Sequence, residues 1–152
     1  MIRLLGLVGL GLSLSTAALS ANIADCGAST GYGFYPKAGL AASQPDGGKW
    51  TPDGISGGRL SLTENEGEFD LLVSDSLGGR IFSSKQEGSK VIVVGSGDKS
   101  LSVVVASPLL METYTFLRNE DGQAEVMWTS NKWGTPIPKV GAYRADCSFF
   151  AR

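Results

Sequence analysis

Short apolar runs alternate with glycine-containing breaks along residues 57–118. The runs are rich in Val, Ile, Leu, Phe and Thr, most of which are residue types that favour β-strands. The breaks recur about every ten residues, which is typical of antiparallel strands joined by tight turns; they are Gly67, Gly78-Gly79, Gly88 and Gly95-Ser96-Gly97. This pattern predicts a β-meander.

Within the runs, apolar and polar side chains alternate, so that every second residue faces the same side of its strand. No segment keeps a helical period over ten residues. The sequence therefore predicts an all-β fold of about eight antiparallel strands. The residues that the alternation places on the core side include Phe69, Leu71, Val73, Leu101, Val103, Val105, Tyr114, Phe116, Ala124, Val126, Trp128, Tyr143, Ala145, Cys147 and Phe149.

The chain is expected to form one domain, with the meander in residues 57–152. Residues 22–56 are predicted to be an irregular N-terminal segment of the same domain. In that segment, residues 31–35 predict one short aromatic strand, and residues 38–43 allow one helical turn. Proline, aspartate and glycine follow at residues 45–48, a combination that predicts a reverse turn.

Residues 1–21 have the layout of a secretory signal peptide, because Arg3 precedes an apolar run that small residues follow. The apolar run is shorter than the roughly 18 to 20 residues that a membrane span needs. We therefore expect cleavage after Ser20 or Ala21. The expected product is a periplasmic or secreted bacterial protein with no membrane span.

Cys26 and Cys147 are the only cysteines. In an exported chain, an even number of cysteines predicts a disulfide. Such a bridge requires Cα atoms within about 7 Å of each other, so the first and last segments should be neighbours. A meander whose ends meet is most simply a small closed or nearly closed barrel, with a β-sandwich as the alternative.

The chain contains no histidine, which excludes histidine-based acid–base catalysis, histidine metal ligands and every nucleophile–histidine pair. A net charge of −2 and the lack of a basic run give no electrostatic support for nucleic-acid binding. The sequence therefore predicts a non-enzymatic protein without a cofactor.

Three stretches are interpreted as turns or solvated surface. Residues 54–58 match the G-x-S-x-G string, but neither a helix nor a histidine partner accompanies it. Residues 95–100 partly match a phosphate-binding loop, although Asp98 interrupts its ending and no helix follows. The acidic residues between 64 and 70 offer oxygen ligands for Ca²⁺, but their spacing does not match a calcium loop.

Gly48-Lys49-Trp50 matches the G-x-W string that begins many lipocalins. Arg144 lies on the last predicted strand, where that family has an arginine packing over the tryptophan. In these residues the chain resembles a lipocalin, whereas Pro52-Asp53-Gly54 departs from the pattern by breaking the strand that should follow. The resemblance implies an eight-stranded barrel that carries a small apolar ligand.

Trp133 stands beside a Gly-Thr-Pro loop, with Lys132 next to it. An exposed aromatic residue beside a cation suits a contact surface, and the alternative is that Trp133 packs under the loop. Since loops on a rigid β scaffold often carry function, we expect an exported binding module that contacts another protein or an envelope component. The alternative is a lipocalin-like carrier of a small apolar ligand.

Overall fold

The computed structural model describes residues 20–43, 45, 47–74 and 79–152. Most of the predicted signal peptide, residues 1–19, and the predicted break at Gly78 lie outside this set. Regular structure in the described part consists of ten β-strands and a 3₁₀ helix at Gly39–Ser43. The strands are β1 (Ala21–Phe34), β2 (Trp50–Asp53), β3 (Arg59–Asn65), β4 (Glu68–Ser74), β5 (Ile81–Ser83), β6 (Lys90–Gly97), β7 (Ser100–Ser107), β8 (Leu110–Arg118), β9 (Ala124–Lys132) and β10 (Lys139–Phe150).

All strand pairs in this part are antiparallel, and the hydrogen-bonded order is β5-β4-β3-β1-β10-β9-β8-β7-β6. The first strand, β1, pairs along one side with β10. Along its other side β3 pairs with residues 21–26 of β1, and β2 pairs with residues 31–34. The sheet therefore curls into a barrel in which the first and last strands are hydrogen-bonded neighbours, and its two edges meet on the opposite side.

The barrel is nearly closed. Its last neighbours, β4 and β6, approach within 8 Å between Cα atoms, but no hydrogen-bonded ladder joins them among the described residues. Phe69 of β4 and Val91 of β6 both pack against the core, so apolar contacts line this seam. The predicted all-β fold and nearly closed barrel are confirmed.

The predicted disulfide is confirmed, because Cys26 and Cys147 are bonded and stand opposite each other on β1 and β10. Next to this pair a β-bulge shifts the register of the two strands. The bulge turns Phe150 into the core and leaves Phe149 45% exposed. The prediction that Phe149 faces the core was therefore wrong, because an extra residue inverts the alternation beyond it.

The N-terminal segment is more regular than the sequence predicts. Instead of a short strand at 31–35, β1 begins at Ala21 and runs for 14 residues. Its composition, with alanines and glycines, has little strand propensity, so pairing on both sides rather than intrinsic preference forms the strand. The predicted helical turn is present as the 3₁₀ helix.

The barrel has two ends that differ in content. At one end, which we call the hairpin end, lie the tight turns β3–β4, β6–β7 and β8–β9. At the other, which we call the mouth end, β1 and β9 end and β10 begins. The half of the interior near the hairpin end is filled by buried apolar side chains, which include Leu62, Leu71, Leu101, Phe116, Val126 and Phe150.

Candidate functional site

The half of the interior near the mouth end is not filled. A cavity of about 270 Å³, which we call the lumen cavity, lies between the inner faces of the strands there. Apolar side chains of Leu60, Val73 and Phe82 form part of its wall. Polar and charged residues complete it; they include Ser29, Asp53, Arg59, Ser74, Glu112, Ser130, Lys132 and Lys139.

Asp53 is the centre of a polar cluster on one side of the cavity. Its Oδ2 atom accepts hydrogen bonds from Tyr35 Oη at 2.8 Å, Tyr143 Oη at 2.8 Å and Lys139 Nζ at 2.9 Å. Burial alone would raise the pKa of Asp53, but the donors outweigh burial and lower it to about 2. Asp53 is therefore a fixed anion, paired with Lys139.

Glycines make this cluster possible. Gly31 lies in register between Asp53 and Tyr143, and a Cβ atom on Gly31 would lie 2.7 Å from Cδ1 of Tyr143. A Cβ atom on Gly141 would lie 2.2 Å from the Tyr143 hydroxyl, and one on Gly33 would lie 2.9 Å from Asp53 Oδ2. The missing side chains thus leave the space in which the Tyr143 ring lies across the sheet.

Three aromatic rings follow one another across β8, β9 and β10, and we call them the aromatic ladder. Tyr114 pairs with Trp128, and Trp128 with Tyr143. Their ring centroids are 5.5 Å and 5.2 Å apart, with interplanar angles of 19° and 28°. Cross-strand stacking of this kind stabilises a sheet, and Trp128 and Tyr143 also border the lumen cavity.

Glu112 is the second carboxylate of the cavity. It accepts hydrogen bonds from Tyr114 Oη and Ser130 Oγ, both at 2.6 Å. Burial raises the pKa of Tyr114 well above its ordinary value, and the charge of Glu112 adds to this shift. Unlike Asp53, Glu112 forms no ion pair with a described residue.

The two predicted contact residues lie in different surroundings. Lys132 borders the lumen cavity and makes no ion pair with a described residue. Trp133 follows it at the rim and is 41% exposed. The backbone N–H of Trp133 donates to the carbonyl of Leu109 at 3.0 Å, which joins two neighbouring loops.

The tryptophan–arginine packing that the lipocalin resemblance implies is not present. Trp50 is 59% exposed on the outer face, where its ring packs against Phe34 at 5.7 Å between centroids. Arg144 forms ion pairs with Glu125 and Asp146 instead. Trp50 and Arg144 sit at different levels of the sheet, because Trp50 pairs with Phe34 and Arg144 pairs with Thr30.

The other short stretches form connections and surface. Residues 54–58 link β2 to β3, and residues 98–99 form the turn between β6 and β7. In the acidic stretch, Glu68 pairs with Lys85, and Asp70 accepts hydrogen bonds from Ser83 and Lys85. The described residues include no cluster of carboxylates or cysteines suited to a metal ion and no helix that would cross a bilayer.

Neither a family model, nor a curated protein, nor a solved structure matches the chain. The site residues other than Lys132 were not predicted from the sequence as a site. The sequence did contain a sign of Glu112, because Glu112 alternates along β8 with Tyr114 and Phe116 and so lies on the same, inward face of the strand. Asp53 had none, because it stands in a Pro-Asp-Gly string that is typical of a turn.

Proposed function

We propose that the protein is an exported, non-enzymatic binding protein that holds a small ligand in the lumen cavity. The observation that supports this most is the contrast between the apolar, filled half of the barrel and the polar-walled cavity in the other half. Cavities of about 150 Å³ can bind benzene, so about 270 Å³ suits a compound of about two rings. The disulfide is consistent with an oxidising compartment.

The ligand we expect has an apolar body and one hydrogen-bond donor. Phe82, Val73 and Trp128 offer apolar contact to the body. Glu112 lacks a cationic partner among the described residues, so it is available to accept from the ligand. A wholly apolar ligand would displace water from Glu112 without replacing its hydrogen bonds, which costs free energy.

The non-enzymatic part of the proposal is supported by the chemistry of the two carboxylates. A carboxylate with a pKa of about 2, as in Asp53, is a weak general base at neutral pH. The oxygens of Glu112 already accept from two hydroxyl groups. With no histidine in the chain, binding is the simpler role for this site.

Native mass spectrometry of the protein purified from the periplasm tests the proposal. We expect extra mass that is lost on denaturation, and the denatured mass also fixes the signal cleavage site. Glu112→Gln should reduce ligand occupancy about tenfold, since hydrogen bonds to charged groups contribute about 1.5 kcal/mol or more. Glu120→Gln, in the exposed β8–β9 turn, is the matched control. Equal occupancy in both variants would disprove the role of Glu112.

Contact with another protein or an envelope component is the second candidate function. The observation in its favour is the exposed Trp133 beside Leu109 at the mouth end. Partner capture with Trp133→Ala compared with Phe149→Ala, which changes an exposed aromatic residue near the hairpin end, tests it. A partner lost only from the Trp133 variant would support this function, and equal recovery from both would contradict it.

A further inference from the structure

The exposed apolar side chains of the loops lie mostly at one end of the barrel. Outside the strands, five large apolar residues are exposed in the described part of the chain. Four of them belong to connections at the mouth end, and the fifth, Ile55, lies beside Ser29 of β1. The turns of the hairpin end contain none, since they consist of residues 66–67, 98–99 and 119–123. The five residues are Leu40, Ile55, Leu109, Trp133 and Ile137.

Four of these residues belong to three loops that touch one another, and we call them the apolar rim: Leu40, Leu109, Trp133 and Ile137. The N–H of Trp133 donates to the carbonyl of Leu109 at 3.0 Å. The N–H of Leu40 donates to the carbonyl of Pro136 at 2.8 Å, next to Ile137. The apolar rim is therefore held together by backbone hydrogen bonds rather than scattered over the surface.

Charge is divided between the same two ends. The turns of the hairpin end carry four acidic residues and one lysine, Lys99. The β5–β6 connection carries Lys85 and Glu87 and is neutral. The described residues of the other mouth-end loops carry Lys37, Lys49 and Arg80 and no acidic residue. By sequence these loops also include Asp46 and Asp75, which lie outside the described residues, and cations then still outnumber acids three to two.

From this polarity we infer that the mouth end docks on a lipid bilayer with anionic headgroups. The apolar rim would enter the boundary between headgroups and acyl chains, where tryptophan and leucine side chains are favourable. Lys37 and Lys49 are exposed and form no ion pair with a described residue, so they are available to lipid phosphates.

A second copy of the chain fits this surface less well, because two mouth ends would bring their cations together. An acidic patch on another protein would match the charge but would need an apolar pocket fitted to each rim side chain, whereas the headgroup boundary accepts exposed leucine and tryptophan side chains without one. The docking inference does not depend on the small-ligand proposal, since the rim residues do not border the lumen cavity.

Co-sedimentation of the mature protein with vesicles tests the inference. We expect binding to vesicles of phosphatidylcholine with phosphatidylglycerol, and at least tenfold weaker binding to phosphatidylcholine alone. In a Trp50→Phe, Trp128→Phe background, Trp133 is the only tryptophan. Its emission should then shift to shorter wavelength when the anionic vesicles are added. Equal binding to both vesicle types, or an unchanged emission, would overturn the inference.

Matched variants at the two ends of the barrel test whether only the mouth end contributes to vesicle binding. Trp133→Ser and Leu109→Ser should each weaken vesicle binding roughly tenfold, whereas Phe149→Ser should not. Lys49→Gln should weaken it about fivefold, corresponding to about 1 kcal/mol per cation, whereas Lys99→Gln at the hairpin end should not. Glu112→Gln should leave vesicle binding unchanged, which distinguishes failure of the ligand proposal from failure of this one.

Folding of each variant is checked by its thermal midpoint, and both rim residues are exposed enough for the substitutions to be tolerated. Weakened binding at an unchanged midpoint supports docking by the rim. A dimer in light scattering that Trp133→Ser abolishes, without any vesicle binding by the parent protein, would assign the surface to a second copy and overturn the inference.

Discussion

The hydroxyl of Tyr143 reaches Asp53 at 2.8 Å by passing over Gly31, which lies between them in the sheet. The two residues are 90 positions apart in the chain. Their contact fixes the ring of Tyr143, and through ring stacking that of Trp128, at the edge of the lumen cavity. The shape of the cavity wall thus depends on a position that has no side chain.

Gly31→Ala should destabilise the protein by about 2 kcal/mol or more. Its Cβ atom would lie 2.2 Å from the carbonyl oxygen of Ala142 and 2.7 Å from the Tyr143 ring, so the backbone or the ring must move. Urea unfolding measures the loss. Gly95→Ala is the matched control, because its added Cβ would meet Ser102 at an ordinary 3.6 Å. Equal effects of the two substitutions would contradict this account of Gly31.

Asp53→Asn should reduce the free energy of unfolding at neutral pH by about 1 to 2 kcal/mol. The expected loss is no larger because the site borders solvent, which screens the charge of Asp53. The pKa of Asp53 falls from 3.8 to about 2 on folding. The unfolded chain therefore binds more protons between these values, and the stabilisation is lost as the pH falls from about 4 to about 2. Urea unfolding from pH 7 to pH 2 measures both effects.

In the Asp53→Asn variant this part of the acid dependence should disappear. Asp121→Asn, in the exposed turn between β8 and β9, provides the comparison and should keep it. If Asp53→Asn retains the full loss of stability between pH 4 and pH 2, other carboxyl groups are responsible.

Replacing both Cys26 and Cys147 with serine should lower the free energy of unfolding by about 4 kcal/mol. The bond closes a loop with a sequence separation of 121 residues, and its removal increases the entropy of the unfolded chain. Chemical unfolding of the oxidised protein, the reduced protein and the double variant measures the effect. A loss below about 1 kcal/mol would mean that β1 and β10 stay together without the bond in the unfolded ensemble.

Val94→Lys should slow aggregation with little change in stability. β6 is the last strand of the hydrogen-bonded sheet, and Val94 on it is 58% exposed. An apolar edge strand favours pairing between molecules, and a lysine there opposes it. Light scattering during thermal stress is the measurement. Gln123→Lys adds the same charge in a turn and should not slow aggregation; equal protection would indicate an effect of net charge alone.

The sequence was sufficient for the strands in which most inward positions are apolar. The alternation in β7 and β9 correctly placed Leu101, Val103, Val126 and Trp128 in the core, because period-two patterns report directly on burial. It was not sufficient for Phe149, since a bulge changes parity without a marker in the sequence. The length of β1 was not predicted either, because that strand forms through pairing with distant segments rather than through its own composition.

The candidate site was harder to predict than the fold for the same reason. Asp53 meets Tyr143 and Lys139 only after β1 has paired with both β2 and β10, and the local string around Asp53 indicates a turn. The glycines at 31, 33 and 141 provide the space for the Tyr143 ring, and nothing in the sequence indicates this role. Glu112 is the exception, because an acidic residue at an inward position is itself a signal of a polar interior.

The pairing of β1 with β10 also has a kinetic consequence. The barrel cannot close until the last strand is available, so one contact of high sequence separation should limit the folding rate. Ile23 and Ala151 are adjacent, since the N–H of Ala151 donates to the carbonyl of Ile23 at 2.9 Å. Joining them and opening the chain between β5 and β6, which are not paired, would place neighbouring strands next to each other in sequence. Such a circular permutant should refold faster than the natural order of the chain allows.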